Sequence, residues 1–138
     1  DGNTRTVPVQ DIPAGPGKTS LAQGDVISAV ILPPRGENAG DAYQRFIPRT
    51  EMDIAVVGAG VDLTLGEDGV CTRAKVALGA VAERVVVVDD AAAALVGTKV
   101  DEAALEALAA AARAACTTGW HSARYAGRPA GSTYSAPA

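Results

Sequence analysis

Aromatic residues are scarce in this sequence, at 4% of 138 residues, with one Trp, one Phe and three Tyr. Any core must therefore be filled by Ala, Val and Leu, and a hydrophobic content of 48% is enough to supply one compact domain with a short attached segment. Histidine occurs once, as His121, and cysteine only as Cys71 and Cys116. That set has no CxxC pair and too few ligands for a zinc site, so the expectation is two reduced, mostly buried thiols. Basic residues are in deficit: 12 Lys and Arg stand against 16 Asp and Glu, for a net charge of −4. This argues against a nucleic-acid footprint. Long apolar runs are missing too. The Ala-rich stretch from Ala91 to Ala115 is broken by Lys99, Asp101, Glu102, Glu106 and Arg113, which argues against a membrane span. No basic stretch leads into an apolar one, so no secretory leader is read and a cytoplasmic location is expected. The sequence starts at Asp1 rather than Met and reads as a fragment or a processed product.

What is present divides into strand-like and helix-like halves. Thr4 to Val9 reads as a short strand, followed by a stretch broken by Pro13, Pro16, Gly15 and Gly17. Val26 to Leu32 is a β-branched run stopped by Pro33-Pro34 and reads as a strand. Ala42 to Arg49 alternates as another, with Tyr43, Arg45 and Ile47 on one face and Gln44 and Phe46 on the other. Ile54 to Leu65 and Val70 to Leu78 read as a hairpin around Gly66-Glu67-Asp68-Gly69, with Arg73 and Lys75 on a wet face. Val85 to Val88 is a short extended piece. Asp89-Asp90 open a helical run ending at Gly97, and Asp101 caps a second helix whose apolar stripe is Leu105, Leu108 and Ala112. After Thr117, Gly, Pro, Ser and Thr dominate, and residues 117–138 are expected to be an atypical, flexible tail. Strands first and helices afterwards predict an α+β fold.

Two motifs fail on inspection. Gly17-Lys18-Thr19 resembles the end of a phosphate-binding loop, but the first glycine of that pattern falls at Ile12, and turn residues return at Gly24 where a helix should run. Gly58-Ala59-Gly60 follows an apolar run as a dinucleotide fingerprint would, yet Leu63 holds the third glycine's place and a turn arrives at Gly66. Glycines that permit close packing within a strand explain the pair better. No Ser/His/Asp or Cys/His set is present, and no catalytic or metal-ligating residue is assigned.

The order of segments carries a resemblance. Thr6-Val7-Pro8 to Asp11, Gly15 to Thr19, Gly24 to Ile27 and Val30 to Pro33 are similar to the end of the FAD-binding region of molybdenum hydroxylase flavoprotein (medium) subunits. Ala42-Tyr43-Gln44-Arg45-Phe46-Ile47-Pro48-Arg49, then Met52 to Val57, resembles the start of the C-terminal domain of carbon monoxide dehydrogenase flavoproteins and their xanthine dehydrogenase relatives. Val76 to Ala82 is similar to the strand leading into that domain's helices. The resemblance runs from about Thr4 to Cys116.

The family implies a three-stranded antiparallel sheet packed against a small helical bundle. It also implies a division into residues 1–25, the tail end of the FAD-binding domain, residues 26–116, the C-terminal domain, and the tail. The segment from Arg45 to Ile54 would approach the flavin ring. Arg45 or Arg49 would favour the reduced, anionic flavin or position its ring, Asp53 would accept from its polar edge, and Ile54 would touch its face. FAD belongs to the complete subunit. The molybdenum cofactor and iron–sulfur clusters belong to a large and a small partner subunit. The family's glycine-rich pyrophosphate motifs and its final helix are not seen in this sequence, so the isolated chain is expected to bind no FAD and to be inactive alone. The alternative is a stand-alone interaction module that keeps the fold without a cofactor.

Overall fold

The computed structural model describes residues 2–47 and 55–116. It contains strands β1 (Pro13–Gly15), β2 (Lys18–Thr19), β3 (Ala39–Phe46), β4 (Val57–Leu65), β5 (Cys71–Gly79) and β6 (Val86–Val87), then helices α1 (Asp89–Ala93) and α2 (Glu102–Ala115). β1 and β2 form a small hairpin of their own. The other strands form one antiparallel sheet in the order β3-β4-β5-β6.

The α+β expectation therefore holds, with two adjustments. The sheet has four strands because Val86–Val87 folds back beside Ala77 and Leu78 and extends the three long strands at the β5 edge. The expected helical bundle is, among the described residues, a pair of helices, of which α1 is a single short one. The β4–β5 hairpin forms as the sequence requires. Gly69 takes a φ of +76° that a side chain would resist, and the Asp68 carboxylate accepts from the Val70 N–H at 3.1 Å.

One face of the sheet carries the core. Val76, Leu78, Val88 and Ala91 are buried together, with Ala59, Val61, Leu108 and Ala112 packed against them. Cys71, Leu95 and Ala104 form an adjoining cluster that shares Val61 and Leu108. The loop after α1 completes the β5 edge where β6 does not reach: Cys71 N–H donates to the Thr98 carbonyl at 2.7 Å, and Gly97 N–H to the Cys71 carbonyl at 2.8 Å. Thr98 then orders the entry to α2. Its hydroxyl donates to the Leu95 carbonyl at 2.7 Å and accepts from the Val100 N–H at 3.1 Å, which supports a φ of +54° at a β-branched residue. Asp101 caps α2 as its sequence position predicts, accepting from the Ala104 N–H at 3.0 Å.

Three expectations are overturned. Thr4 to Val9 is not a strand. It runs irregularly into a short 3-10 turn at Val9–Asp11, because Pro8 has no N–H for a ladder and its carbonyl instead accepts from Asp11 N–H. Val26 to Leu32 is not a strand either, since among the described residues no strand pairs with it. On α2 the packed stripe is Ala104, which is buried, with the partly buried Leu108, Ala111, Ala112 and Ala115; Leu108 and Ala112 face inward as expected, but Leu105 is 43% exposed. Small side chains let the helix sit close to the sheet, so alanines rather than the larger Leu105 take the inward face.

Candidate functional site

The face of the sheet turned away from the helices is set by cross-strand register. Tyr43 lies opposite Gly60, and Arg45 opposite Gly58. Gly60 in turn faces Ala77, and Gly58 faces Gly79. Paired residues point to one side, so Tyr43 and Arg45 of β3 share a surface with a strip of Gly and Ala from β4 and β5. Their predicted common face is confirmed by this register, whereas Ile47 lies past the end of the strand.

Tyr43 uses the missing side chains. A Cβ at Gly58 would lie 2.5 Å from the Tyr43 hydroxyl and 3.1 Å from its ring, and one at Gly60 would lie 3.7 Å from the ring. The phenol therefore lies across bare backbone, with its hydroxyl reaching the row of Arg45, and the residue is still 66% exposed. Gly58-Ala59-Gly60 thus serves close packing inside a strand. The residue types were visible in the sequence, but their meeting was not. It depends on the register between β3 and β4, which no local signal sets.

The surface is charged around this flat patch. Asp62 pairs with Arg73 at 3.0 Å, Lys75 stands opposite Asp62, and Asp41 pairs with Arg35. Among the described residues no group of three or more His, Cys, Asp or Glu comes together to hold a metal.

Three connections gather at one end of the sheet. The β3–β4 connection leaves at Phe46 and returns at Val56, whose N–H donates to the Phe46 carbonyl at 2.9 Å. The β5–β6 connection leaves from Gly79, in register with Gly58 at that end. The β1–β2 hairpin arrives there as well, because Gly15 faces the Glu83 carboxylate of the β5–β6 connection. Arg45 is exposed beside this end of the sheet. Arg49, Asp53 and Ile54 belong to the β3–β4 connection and lie outside the described residues.

These elements match a known family. The CO dehydrogenase flavoprotein C-terminal domain corresponds to residues 42–125, more than half of the sequence. The chain belongs to that family. The match begins within β3 and continues past Cys116, where the family pattern had looked lost. The carbon monoxide dehydrogenase medium chain of Afipia carboxidovorans is 32% identical over 130 residues, which are 92% of this chain and 44% of that one. The xanthine dehydrogenase FAD-binding subunit of Escherichia coli O157:H7 is 32% identical over 79 residues, 56% of this chain and 27% of that subunit. Among solved structures, carbon monoxide dehydrogenase from Hydrogenophaga pseudoflava lacking the Mo-pyranopterin moiety of the molybdenum cofactor matches with a TM-score of 0.74 and 30% identity, over 82% of this chain and 39% of that one. The chain thus spans less than half the length of each of these relatives.

The family match supports the recognition made from sequence, a C-terminal domain of an FAD-binding medium subunit. No helix among the described residues is long and apolar enough to cross a membrane.

Proposed function

We propose that this chain is the C-terminal portion of the FAD subunit of a molybdenum-dependent hydroxylase or dehydrogenase, working in the cytoplasm with a large molybdenum subunit and a small iron–sulfur subunit. Its part is to close one side of the flavin pocket. Membership of the flavoprotein C-terminal domain family is the observation that carries this reading.

The residues present fit one part of the cofactor and not another. Tyr43 lying on Gly58 and Gly60 offers a low-relief aromatic surface on the same face of β3 as Arg45, which suits the edge of a planar ring system. The glycine-rich loop and helix N-terminus that would bind a pyrophosphate have no counterpart among these elements. FAD, when bound by the whole subunit, supplies the capacity to take electrons from the iron–sulfur clusters and pass them to an external acceptor. Arg45 and Arg49 would hold positive charge and N–H donors toward the ring, favouring its reduced, anionic form. Asp53 would accept a hydrogen bond from the ring's polar edge, and Ile54 would exclude water from its face.

The test is the flavin midpoint potential of the FAD subunit carrying Arg45→Gln. Losing a nearby cation should lower the potential by on the order of 30 mV, about 1.4 kcal/mol for a two-electron couple. An unchanged or raised potential would remove Arg45 from the site.

A further inference from the structure

On the outward face of the sheet, Asp41, Tyr43 and Arg45 follow one another along β3. Opposite them stand Asp62, Gly60 and Gly58 of β4, and beyond these Lys75, Ala77 and Gly79 of β5. Across these three strands Arg45 alone brings a side chain to its row, because Gly58 and Gly79 have none. A Cβ at Gly79 would have only the Gly58 carbonyl oxygen nearby, at 4.0 Å. Strands lie about 5 Å apart, so an arginine stem could recline over roughly 10 Å of bare backbone in that direction. Its guanidinium would then lie on the sheet, on the same face as the Asp41 and Asp62 carboxylates.

Tyr43 blocks that path. Its ring does not settle on Gly60, the residue directly across from it, where an added Cβ would stay 3.7 Å away. It leans one row further, over Gly58, where an added Cβ would lie 3.1 Å from the ring and 2.5 Å from the hydroxyl. Packing on bare strand backbone accounts for an aromatic over Gly60. It does not account for the lean into the next row, which takes up the space directly across from Arg45. Cross-strand Cβ atoms are about 5 Å apart, so the phenol end of Tyr43 stands where a side chain facing Arg45 would stand. The residue is 66% exposed, so its ring is a wall on the surface and not part of the core.

We propose that Tyr43 is a positioning residue for Arg45. Its ring fills the space over Gly58 and keeps the Arg45 side chain from lying down across β4. The charge is thereby held at the end of the sheet, beside the β3–β4 connection that contains Arg49, Asp53 and Ile54. This rests on the FAD-subunit reading above, in which that charge faces the flavin, and it adds a residue that sets the flavin potential only through Arg45.

The experiment measures the flavin midpoint potential of the whole FAD subunit, with flavin content checked by visible absorbance. The variants are Tyr43→Ala, Tyr43→Phe, Arg45→Gln and the double variant Tyr43→Ala with Arg45→Gln. Arg45→Gln should lower the potential. Coulomb energy falls with distance, so a charge that recedes from about 4 to about 8 Å loses about half its effect, and Tyr43→Ala should lower the potential about half as far as Arg45→Gln. Tyr43→Phe keeps the ring and should leave the potential unchanged. In the Arg45→Gln background Tyr43→Ala should add nothing, because a residue that acts through Arg45 then has nothing to act on. A merely structural role would not show this dependence. A further shift in that background, or no shift from Tyr43→Ala while Arg45→Gln shifts, overturns the proposal and leaves the FAD-subunit reading intact. So does loss of flavin in Tyr43→Ala but not in Arg45→Gln, which would make Tyr43 a direct flavin contact. A shift in Tyr43→Phe as large as that in Tyr43→Ala assigns the effect to the hydroxyl and overturns it too. An unmoved potential in Arg45→Gln removes Arg45 from the site, and the proposal with it.

Discussion

Val30 and Val76 are the same residue type in β-branched stretches of sequence, yet Val30 is 75% exposed and Val76 is 2% exposed. Val76 sits in β5 between β4 and β6, over the helices, and its burial is shared with Leu78, Val88 and Ala91. Val30 lies in the stretch before β3, where no strand or helix among the described residues covers it. The lesson is that β propensity describes how well a residue suits a paired, covered surface, and does not create that surface. The body from β3 to α2 contains its own partners. The segment before it, apart from the β1–β2 hairpin, has the composition of structure without the partners.

The sharpest way to break this comparison is to truncate one residue from each region. Leu95→Ala removes a side chain that is 1% exposed, and it should destabilise the chain by about 2–5 kcal/mol in urea unfolding. Val30→Ala should change the same midpoint by less than about 0.5 kcal/mol. Equal losses would mean that the two regions form one cooperative unit.

Next in size is the cap of α2. Asp101→Ala removes the acceptor of the Ala104 N–H and should cost about 1 kcal/mol, with Asp101→Asn recovering most of it. A smaller effect is expected on the wet face of the sheet. Gly58→Ala puts a methyl where the Tyr43 hydroxyl lies, but the ring is exposed enough to swing away, so the cost should stay below about 1 kcal/mol. A double-mutant cycle with Tyr43→Ala should show the penalty fall once the ring is gone. Additive effects would show that the ring does not occupy that place in solution.

The smallest effect belongs to the N-terminal stretch. The Asp25 carboxyl is held below the ordinary carboxylate range, first by the Ala22 N–H and then by Arg5. A lowered folded-state value stabilises above the unfolded value, and that contribution is lost as pH falls through the folded one. The Arg5–Asp25 tether should therefore persist through neutral and mildly acidic pH and release only in strong acid. An NMR titration of the Asp25 carboxyl checks this, and Arg5→Ala should move its midpoint upward. Signals from α2 should not follow that step.

What the sequence made legible follows the same division. The Asp101 cap, the Gly69 turn and the alternation of Arg73 and Lys75 against Val76 and Leu78 are local, and each appears where its residues predict. The hidden parts depend on distant partners. The inward face of α2 was misread because Ala gives little contrast along the helix, and the choice between Ala104 and Leu105 is made by how closely the sheet can be approached. The two-residue strand β6 appears in sequence only as an extended piece, since its pairing depends on where β5 ends. The shared side of Tyr43 and Arg45 follows from their alternation in sequence, whereas the seat of Tyr43 on Gly58 and Gly60 emerged only with the β3–β4 register.

The most direct test of the whole account is the visible absorption of FAD. The purified 138-residue chain should take up no flavin. Adding it to the FAD-loaded remainder of a flavoprotein subunit should shift the flavin bands as the Tyr43 and Arg45 surface closes over the ring. A stoichiometric yellow absorbance in the isolated chain, or flavin bands that stay unchanged when it is added, would contradict the account.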